Sequence, residues 1–475
     1  MTYRNILDAA TNAFKQKMNE FCEKGGRETC ETLSAEALEG LSRALLNAFQ
    51  AGGQAGLKTY LESHDIRKAA VTAQGTSYRY KNSMEKTFLT LMGEVVVNRS
   101  IYANDLLGGG YHVPLDAALG LSDDYATLET REMILFAASV TTPGDVEVLL
   151  RKTGLCHPSS TAIQNMINKD GRRIEETRQY LSQEVLSSTT IPEKTAVMVA
   201  SLDGANLLLR EPGKKKGRKT QRPVGSKVAD DEKNTSFRNA MVGAFSFYEH
   251  DDDGRPQRIS SSYIARTPEE KAPVFKEDFE RTVTHYQNQL PNDETVAKIF
   301  LCDGHRAIWK YAYQCPVLKG HLFLVDFYHT TEHLSRAAEA IFGKSSEYGK
   351  RWYLKWRDAL KTDVTAPPSI IRSIEGYLQR NRLPKSRADE VKKELTFFKR
   401  NKKLMHYREF ISKGYPIGSG PVEAAAKTIV KQRMCRSGMR WSRTGAQYIL
   451  TLRAQVKSGT WDDFWKAYVK LRIAA

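Results

Sequence analysis

Two apolar runs of strand length, each closed by Asp-Gly, constrain this chain more than any other feature in it. Thr195 to Leu202 (TAVMVASL) leads into Asp203-Gly204, and Val296 to Cys302 leads into Asp303-Gly304. Apolar runs this short, bounded by turn residues, read as buried strands. A carboxylate directly after such a strand stands at the sheet edge, where ligands bind in open α/β architectures. Taken singly, each is an ordinary strand-ending turn. As a pair in one sheet, the two can converge on a common metal.

The pattern around them predicts a mixed sheet covered by helices. Ala240 to Tyr248, Ile259 to Ala265 and His321 to Val325 read as further strands, and Pro268 to Gln287 and Thr330 to Ile341 as helices. Strands that first meander and then alternate with helices give that architecture. Residues 345–410 are charged, Trp-containing and without a strand signal, which predicts an inserted helical subdomain. A last long helix starts at Pro421 after Gly418-Ser419-Gly420, with Gly420 as N-cap and Glu423 as its third residue. The helix dipole alone favours an acid there. The position also aims a carboxylate from a helix end toward the two aspartates. Three carboxylates so arranged can hold two Mg²⁺ or Mn²⁺ ions, one activating a nucleophile and the other stabilising a leaving oxygen.

The N-terminal part is mainly helical. Helical spacing runs through residues 1–75, a β-hairpin is predicted between Met84 and Tyr102, and Gly108-Gly109-Gly110 marks a loop. Helical periodicity resumes from about Ala117 to Glu184. Within it, a short helix over Asp145 to Lys152, a Gly-containing turn and a helix capped by Ser159 or Ser160 fit a helix-turn-helix. They fit a plain helical hairpin equally well. The organisation expected is 1–80 helical, 81–116 hairpin, 117–190 helical and DNA-binding, 191–344 core, 345–410 insertion, and 411–475 core with C-terminal helices.

Charge narrows the partners. The 475 residues hold 72 Lys and Arg against 55 Asp and Glu, a formal net charge of +17, which favours a polyanion. Two stretches concentrate it. Residues 210–222 include Lys214, Lys215, Lys216, Arg218 and Lys219 in a Gly- and Pro-containing segment that reads as a solvated loop after the Asp203 strand. Residues 399–443 include Lys427, Lys431, Arg433, Arg436, Arg440 and Arg443, suited to phosphate contacts, with Trp441 either stacking on a base or packing. No apolar run is long enough to span a membrane, and no signal-peptide core opens the chain. Six cysteines occur with no Cys-x-x-Cys pair, so the chain reads as a cytoplasmic, nucleoid-associated protein with reduced thiols and no cysteine-based zinc finger.

Asp326, His329 and His333 in VDFYHTTEH share a helix face and have the residue types of a transition-metal site, or else support the acidic centre through hydrogen bonds. His305, two residues after Asp303, either contacts a scissile phosphate or fills the turn.

The motifs SLDGANLL (201–208), FLCDGHRAIW (300–309), VDFYHTTEHL (325–334) and YPIGSGPVEAAAKTIVKQRM (415–434) resemble bacterial insertion-sequence transposases of the ISKra type, a branch of the DDE transposases. The resemblance covers roughly residues 85–455, and the block around Glu423 is its most specific piece. It implies an RNase H-like catalytic domain with an all-helical insertion, and Asp203, Asp303 and Glu423 as metal-binding catalytic acids with two Mg²⁺ or Mn²⁺ ions. It further implies terminal inverted repeats and target DNA as partners, and at least a homodimer to hold two ends. Members of that family often carry a cysteine-rich knuckle after the hairpin. Here that place reads Tyr102-Ala-Asn-Asp-Leu-Leu-Gly-Gly-Gly, so the resemblance does not extend to a zinc-held module. Two other functions fit the same residues: a catalytically silent DNA-binding protein derived from a transposase, and an RNase H-like nuclease without strand transfer.

Overall fold

The hairpin expected near Met84 forms, and it is the centre of a larger sheet. In the computed structural model, which describes residues 3–26, 31, 33–104, 110–154, 156–210, 237–291, 295–380 and 383–474, the chain divides into two units. The first comprises residues 1–182 and 462–475 and the second residues 183–461.

In the first unit, helices Tyr3–Phe21 and Ala35–Ser63 precede strands β1 (Ala70–Ala73), β2 (Thr76–Thr90), β3 (Gly93–Asn104) and β4 (Gly110–His112), paired in that order and antiparallel. Helical character therefore stops at Ser63, not at residue 75. The short outer strands lack the apolar alternation that would have identified them. Gly93 has a φ of 97°, which only glycine adopts without strain, and it closes the tight turn from Thr90. Further on, helix Pro143–Thr153 opens on a Thr142–Asp145 capping box and ends at left-handed Gly154. Ser159 then caps helix Ser160–Glu176 through the Ala162 amide.

A buried ion network fastens this unit. Arg131 reaches Asp170 at 2.7 Å and Asp124 at 3.2 Å, and Arg472, from the C-terminal helix Trp461–Ala474, reaches Asp124 at 2.9 Å. The Tyr468 hydroxyl donates to Asp170 at 2.6 Å. Burial works against a charged Asp124, but Arg131, Lys169, Arg173 and Arg472 outweigh it and hold its carboxyl well below the usual range.

The second unit is built on a five-stranded mixed sheet, order β7-β6-β5-β8-β9. Strands β5 (Val197–Leu208), β6 (Phe237–His250) and β7 (Pro256–Arg266) form an antiparallel meander. Strands β8 (Ala297–Cys302) and β9 (Leu322–Val325) add in parallel on the other side of β5. One correction matters for the site: β5 does not end at Asp203. It continues to Leu208, because Ala205 and Leu207 point into a second core with Val422, Ile429, Val430 and Leu450 while Asn206 faces solvent. That alternation is a strand signal which the Asp-Gly pair obscured.

Helix Pro273–Gln287 lays Phe279 against Phe245 and Phe300 on one face of the sheet. After helices Arg306–Gln314 and Phe327–Phe342 come Glu347–Thr362, Ala366–Arg380, Lys385–Asn401 and Tyr407–Ser412, the helical stretch expected there. The last segment opens one residue earlier than its glycine suggested: Ser419 is the N-cap, so Glu423 is the fourth helical residue. The helix Gly420–Ala425 runs into a π-helical turn, Ala426–Lys431, before Gln432–Met434, and helix Arg443–Ser458 follows. Among the described residues no helix is long and apolar enough to cross a membrane.

Removing Asp170 takes from Arg131, which is 1% exposed, its shorter carboxylate contact and leaves it Asp124 alone. Asp170→Ala is expected to lower the stability of the first unit by about 3–5 kcal/mol, read from urea unfolding. Unchanged stability would mean the network is not what fastens the C-terminal helix.

Candidate active site

The parallel register of β5 and β8 sets two acids side by side. Pairing runs from Val197↔Ala297 to Ala200↔Phe300, an offset that places Asp203 level with Asp303. Beyond Ala200 the ladder stops, and the Leu202 N–H goes to the buried Cys302 thiol at 3.0 Å instead of a carbonyl. The strands fork at that point, with one aspartate on each prong. Asp203 is therefore mid-strand toward β6, where it pairs with Val242, and unpaired toward β8.

Glu423 comes to the same place from the helix. Burial pushes the Asp203 carboxyl above its usual value; the Gly204 N–H opposes this, and the charges of Asp303 and Glu423 add to it. Exposed Lys431 draws it partly back. Asp303 and Glu423 thus both stand near enough to Asp203 to act on it as charges. Each of the three acids also spends one oxygen on its own turn. Asp203 Oδ1 accepts from Gly204 N–H at 2.6 Å and Asp303 Oδ1 from His305 N–H at 2.9 Å, while Glu423 Oε1 lies 3.3 Å from the Ser419 hydroxyl, whose single proton it shares with Asp326. The other oxygen of each is unclaimed among the described residues. Among those residues no three acid, His or Cys side chains close on a single point. Mutual repulsion of like charges opposes such closure.

Two devices hold the acids, and the sequence offered the residue of the first only as one of two alternatives and gave no sign of the second. The first is Asp326, directly after β9 and fully buried. Its Oδ1 accepts from His329 N–H, capping helix Phe327–Phe342, while Oδ2 accepts from the Ser419 N–H and, at 2.9 Å, from the Ser419 hydroxyl. Ser419 in turn reaches Glu423. Asp326 therefore fixes the start of the Glu423 helix, and its oxygens are consumed. Of the two readings of Asp326, His329 and His333, the hydrogen bonds fit support of the acidic centre: His329 Nε2 meets His333 Nε2 at 3.2 Å, and His333 Nδ1 meets buried Glu394 at 2.5 Å. Burial lowers the His333 pKa, with Glu394 acting in the opposite sense.

The second device comes from the helical insertion. The Arg400 guanidinium donates to the Gly304 carbonyl at 2.6 Å, and the Phe397 ring lies so close that a Cβ at Gly304 would collide with it. Trp309 Nε1 donates to the Asp303 carbonyl at 2.6 Å. The glycine after Asp303 is thus required by the approach of a helix 90-odd residues away, a reason that no local pattern carries.

The basic residues fall into three groups. Lys427, Lys431, Arg436, Arg440 and Arg443 are exposed. Arg433 is buried at 1% exposure, its guanidinium 4.9 Å from the Trp441 ring centroid, and so faces no phosphate. Trp441 packs rather than stacks: its Nε1 donates to the Met434 carbonyl at 3.0 Å and its backbone bridges to Leu209. Lys214, Lys215, Lys216, Arg218 and Lys219 lie outside the described residues. His305 is exposed beside Asp303 and lines a cleft of about 350 Å³ that also includes Asp203, Asp303, Met241, Ile308 and Tyr311. The cleft wall contains two consecutive non-glycine residues with positive φ, Lys271 (59°) and Ala272 (50°). Such strain, of order 1–3 kcal/mol per residue, clusters at functional sites.

No family model matches the chain, and no curated protein does. Among solved structures the chain is similar to the Drosophila P element transposase strand transfer complex, at 12% identity, covering 74% of this chain and 82% of that one, with a TM-score of 0.23. A likeness of that grade decides neither fold nor chemistry.

Two outcomes follow from the site. Folded Asp203 holds its proton more tightly than the unfolded chain does. It therefore subtracts stability as pH rises from the ordinary Asp range through the raised value, and the full loss is present at neutral pH. Metal-free Asp203→Asn is expected to melt above the wild type at pH 7.5, and Mn²⁺ to raise the wild-type melting temperature far more than the variant's. A lower melting temperature for the variant would contradict the crowding of charge. Gly304→Ala should displace Asp303 and cut activity about 10²-fold, and Phe397→Leu in the same chain should restore part of it. An unaffected Gly304→Ala variant would remove the insertion from the site.

Proposed function

We propose that this chain is a DDE transposase with an RNase H-like core, which cleaves transposon ends and joins the freed 3′-hydroxyl to target DNA. The observation that carries the reading is the placement of Asp303, directly after β8, and Glu423, on the helix, near enough to Asp203 in β5 for their charges to add to the burial that raises its carboxyl. The helices between Asp303 and Glu423 agree with the insertion that the motif resemblance implies.

The donor set is all oxygen, with one unclaimed carboxylate oxygen on each acid among the described residues, which suits Mg²⁺ or Mn²⁺ rather than a softer ion. Asp203, Asp303 and Glu423 would hold two such ions, which supply nucleophile activation and charge neutralisation at the leaving oxygen. The remaining work belongs to the chain. The fork between β5 and β8 fixes the separation of the aspartates, and Asp326 with Ser419 fixes the approach of Glu423. Exposed Lys427, Lys431, Arg436, Arg440 and Arg443 offer backbone phosphate contacts. His305 is free to meet a phosphate beside Asp303. Cleavage and joining are both in-line displacements at phosphorus, so one site serves both once the strands are positioned.

The purified protein is expected to nick DNA carrying the sequences that flank its coding region, with Mg²⁺ or Mn²⁺. Asp203→Ala, Asp303→Ala and Glu423→Ala should each bring cutting to background while salt-sensitive DNA binding survives. Normal cutting by any of the three would overturn the assignment. Pre-cleaved ends that fail to join target DNA would make the protein a nuclease.

A further inference from the structure

The cleft beside the two aspartates has walls that metal-ion chemistry does not require. Met241 from β6, Ile308 and Tyr311 from helix Arg306–Gln314, and Phe275 from helix Pro273–Gln287 give it an apolar lining. Lys271 and Lys276 line it as well. Among the described residues neither lysine has a carboxylate partner, although Asp203, Asp303 and Glu269 line the same cleft. Glu269 is already spent on Arg266 and on the amides of Val274 and Phe275. The Lys276 ammonium instead sits 5.1 Å over the Tyr311 ring, whose hydroxyl donates to Glu280. Asn239 adds an exposed amide that both donates and accepts.

The backbone supports a ligand role independently. Lys271 and Ala272 are held in the left-handed region next to the Glu269 cap, where Gly would sit without strain. That strain leaves Lys271 at the cleft wall. A cleft of about 350 Å³ lies at the lower end of the ~300–1,000 Å³ range typical of small-molecule pockets. It has room for a single nucleotide and not for a stacked, paired helix.

We propose that this cleft takes one unpaired nucleotide of the DNA strand, its base against Met241, Ile308 and Tyr311 and its adjacent phosphate on Lys271 and Lys276. The proposal rests on the reading of the acids as a DNA-cutting centre and adds to it a way of presenting the strand. An extruded base lets the phosphodiester next to it leave the duplex and approach the fork between β5 and β8. A planar base meets apolar walls and an amide. Of the two phosphates that flank the nucleotide, one rests on the lysines and the other approaches the fork.

The test uses the full-length protein and two 30-base-pair duplexes of one sequence, one fully paired and one with a single central 5-iodo-deoxyuridine bulge, in EDTA so that no cutting intervenes. At least tenfold tighter binding of the bulged duplex is expected, with photocrosslinks to Met241 or Tyr311. Ile308→Trp, or Met241→Trp should the first variant fold poorly, fills the cleft and should abolish the preference while paired-duplex binding persists. Lys271→Gly should relieve the strain, raising the melting temperature, and weaken bulged-DNA binding. Equal affinity for the two duplexes, crosslinks outside the cleft, or a preference that survives both tryptophan variants would overturn the proposal. Nicking of supercoiled plasmid with Mn²⁺ is measured separately. Lost nicking with an intact bulge preference counts against the DNA-cutting reading, and the reverse counts against the cleft alone.

Discussion

A buried carboxylate that binds nothing from outside holds the acidic end of the sheet together. Asp326 follows the parallel strand β9, caps the helix after it, and grips Ser419 at the start of the segment that carries Glu423. Buried polar groups must find partners or lose several kcal/mol, so this carboxylate acts as a staple with little freedom to slip. A backbone bond from the Phe327 N–H to the Ile417 carbonyl ties the turn before Glu423 to the start of the helix that Asp326 caps. The third acid depends on a fourth that never reaches the site.

The other two acids depend on where a ladder ends. Parallel pairing of β5 with β8 stops three residues short of Asp203 and Asp303, while antiparallel pairing with β6 continues past Asp203 to Leu208. One side of β5 stays rigid and the other opens. The rigid side gives Asp203 a fixed direction, and the open side leaves room between the prongs. The insertion then closes on the Asp303 turn through Phe397 and Arg400. A helical region that looks peripheral in the chain order is in direct contact with a glycine of the site that has no room for a side chain.

Like charges so placed cost stability, which the surrounding structure offsets through two apolar cores. One gathers Phe245, Phe279 and Phe300 beside the first half of β5, and the other gathers Val422, Ile429 and Leu450 beside its second half. The π-helical turn Ala426–Lys431 follows Glu423 directly, and Ile429 and Val430 from it are fully buried in the second core. Packing there and the Asp326 staple together fix the position of the Glu423 helix.

The sequence by itself determined the strands of the second unit, the helical stretch after Asp303 and the hairpin, because buried strands and amphipathic helices write their period into consecutive residues, and it singled out the three acids as candidates. It also suggested the resemblance that names the acids. It misplaced the end of β5, since Asp-Gly looks the same in a turn and in a strand that continues. It left Arg433 among the surface cations and Asp326 open between a metal ligand and a hydrogen-bonded support, because burial and hydrogen-bond partners come from residues far apart in the chain. Ser419, Phe397 and Arg400 carry no local signature at all. Only the tertiary structure decided which carboxylates keep a free oxygen and which are consumed, since that is a property of the partners each one meets and not of the residue.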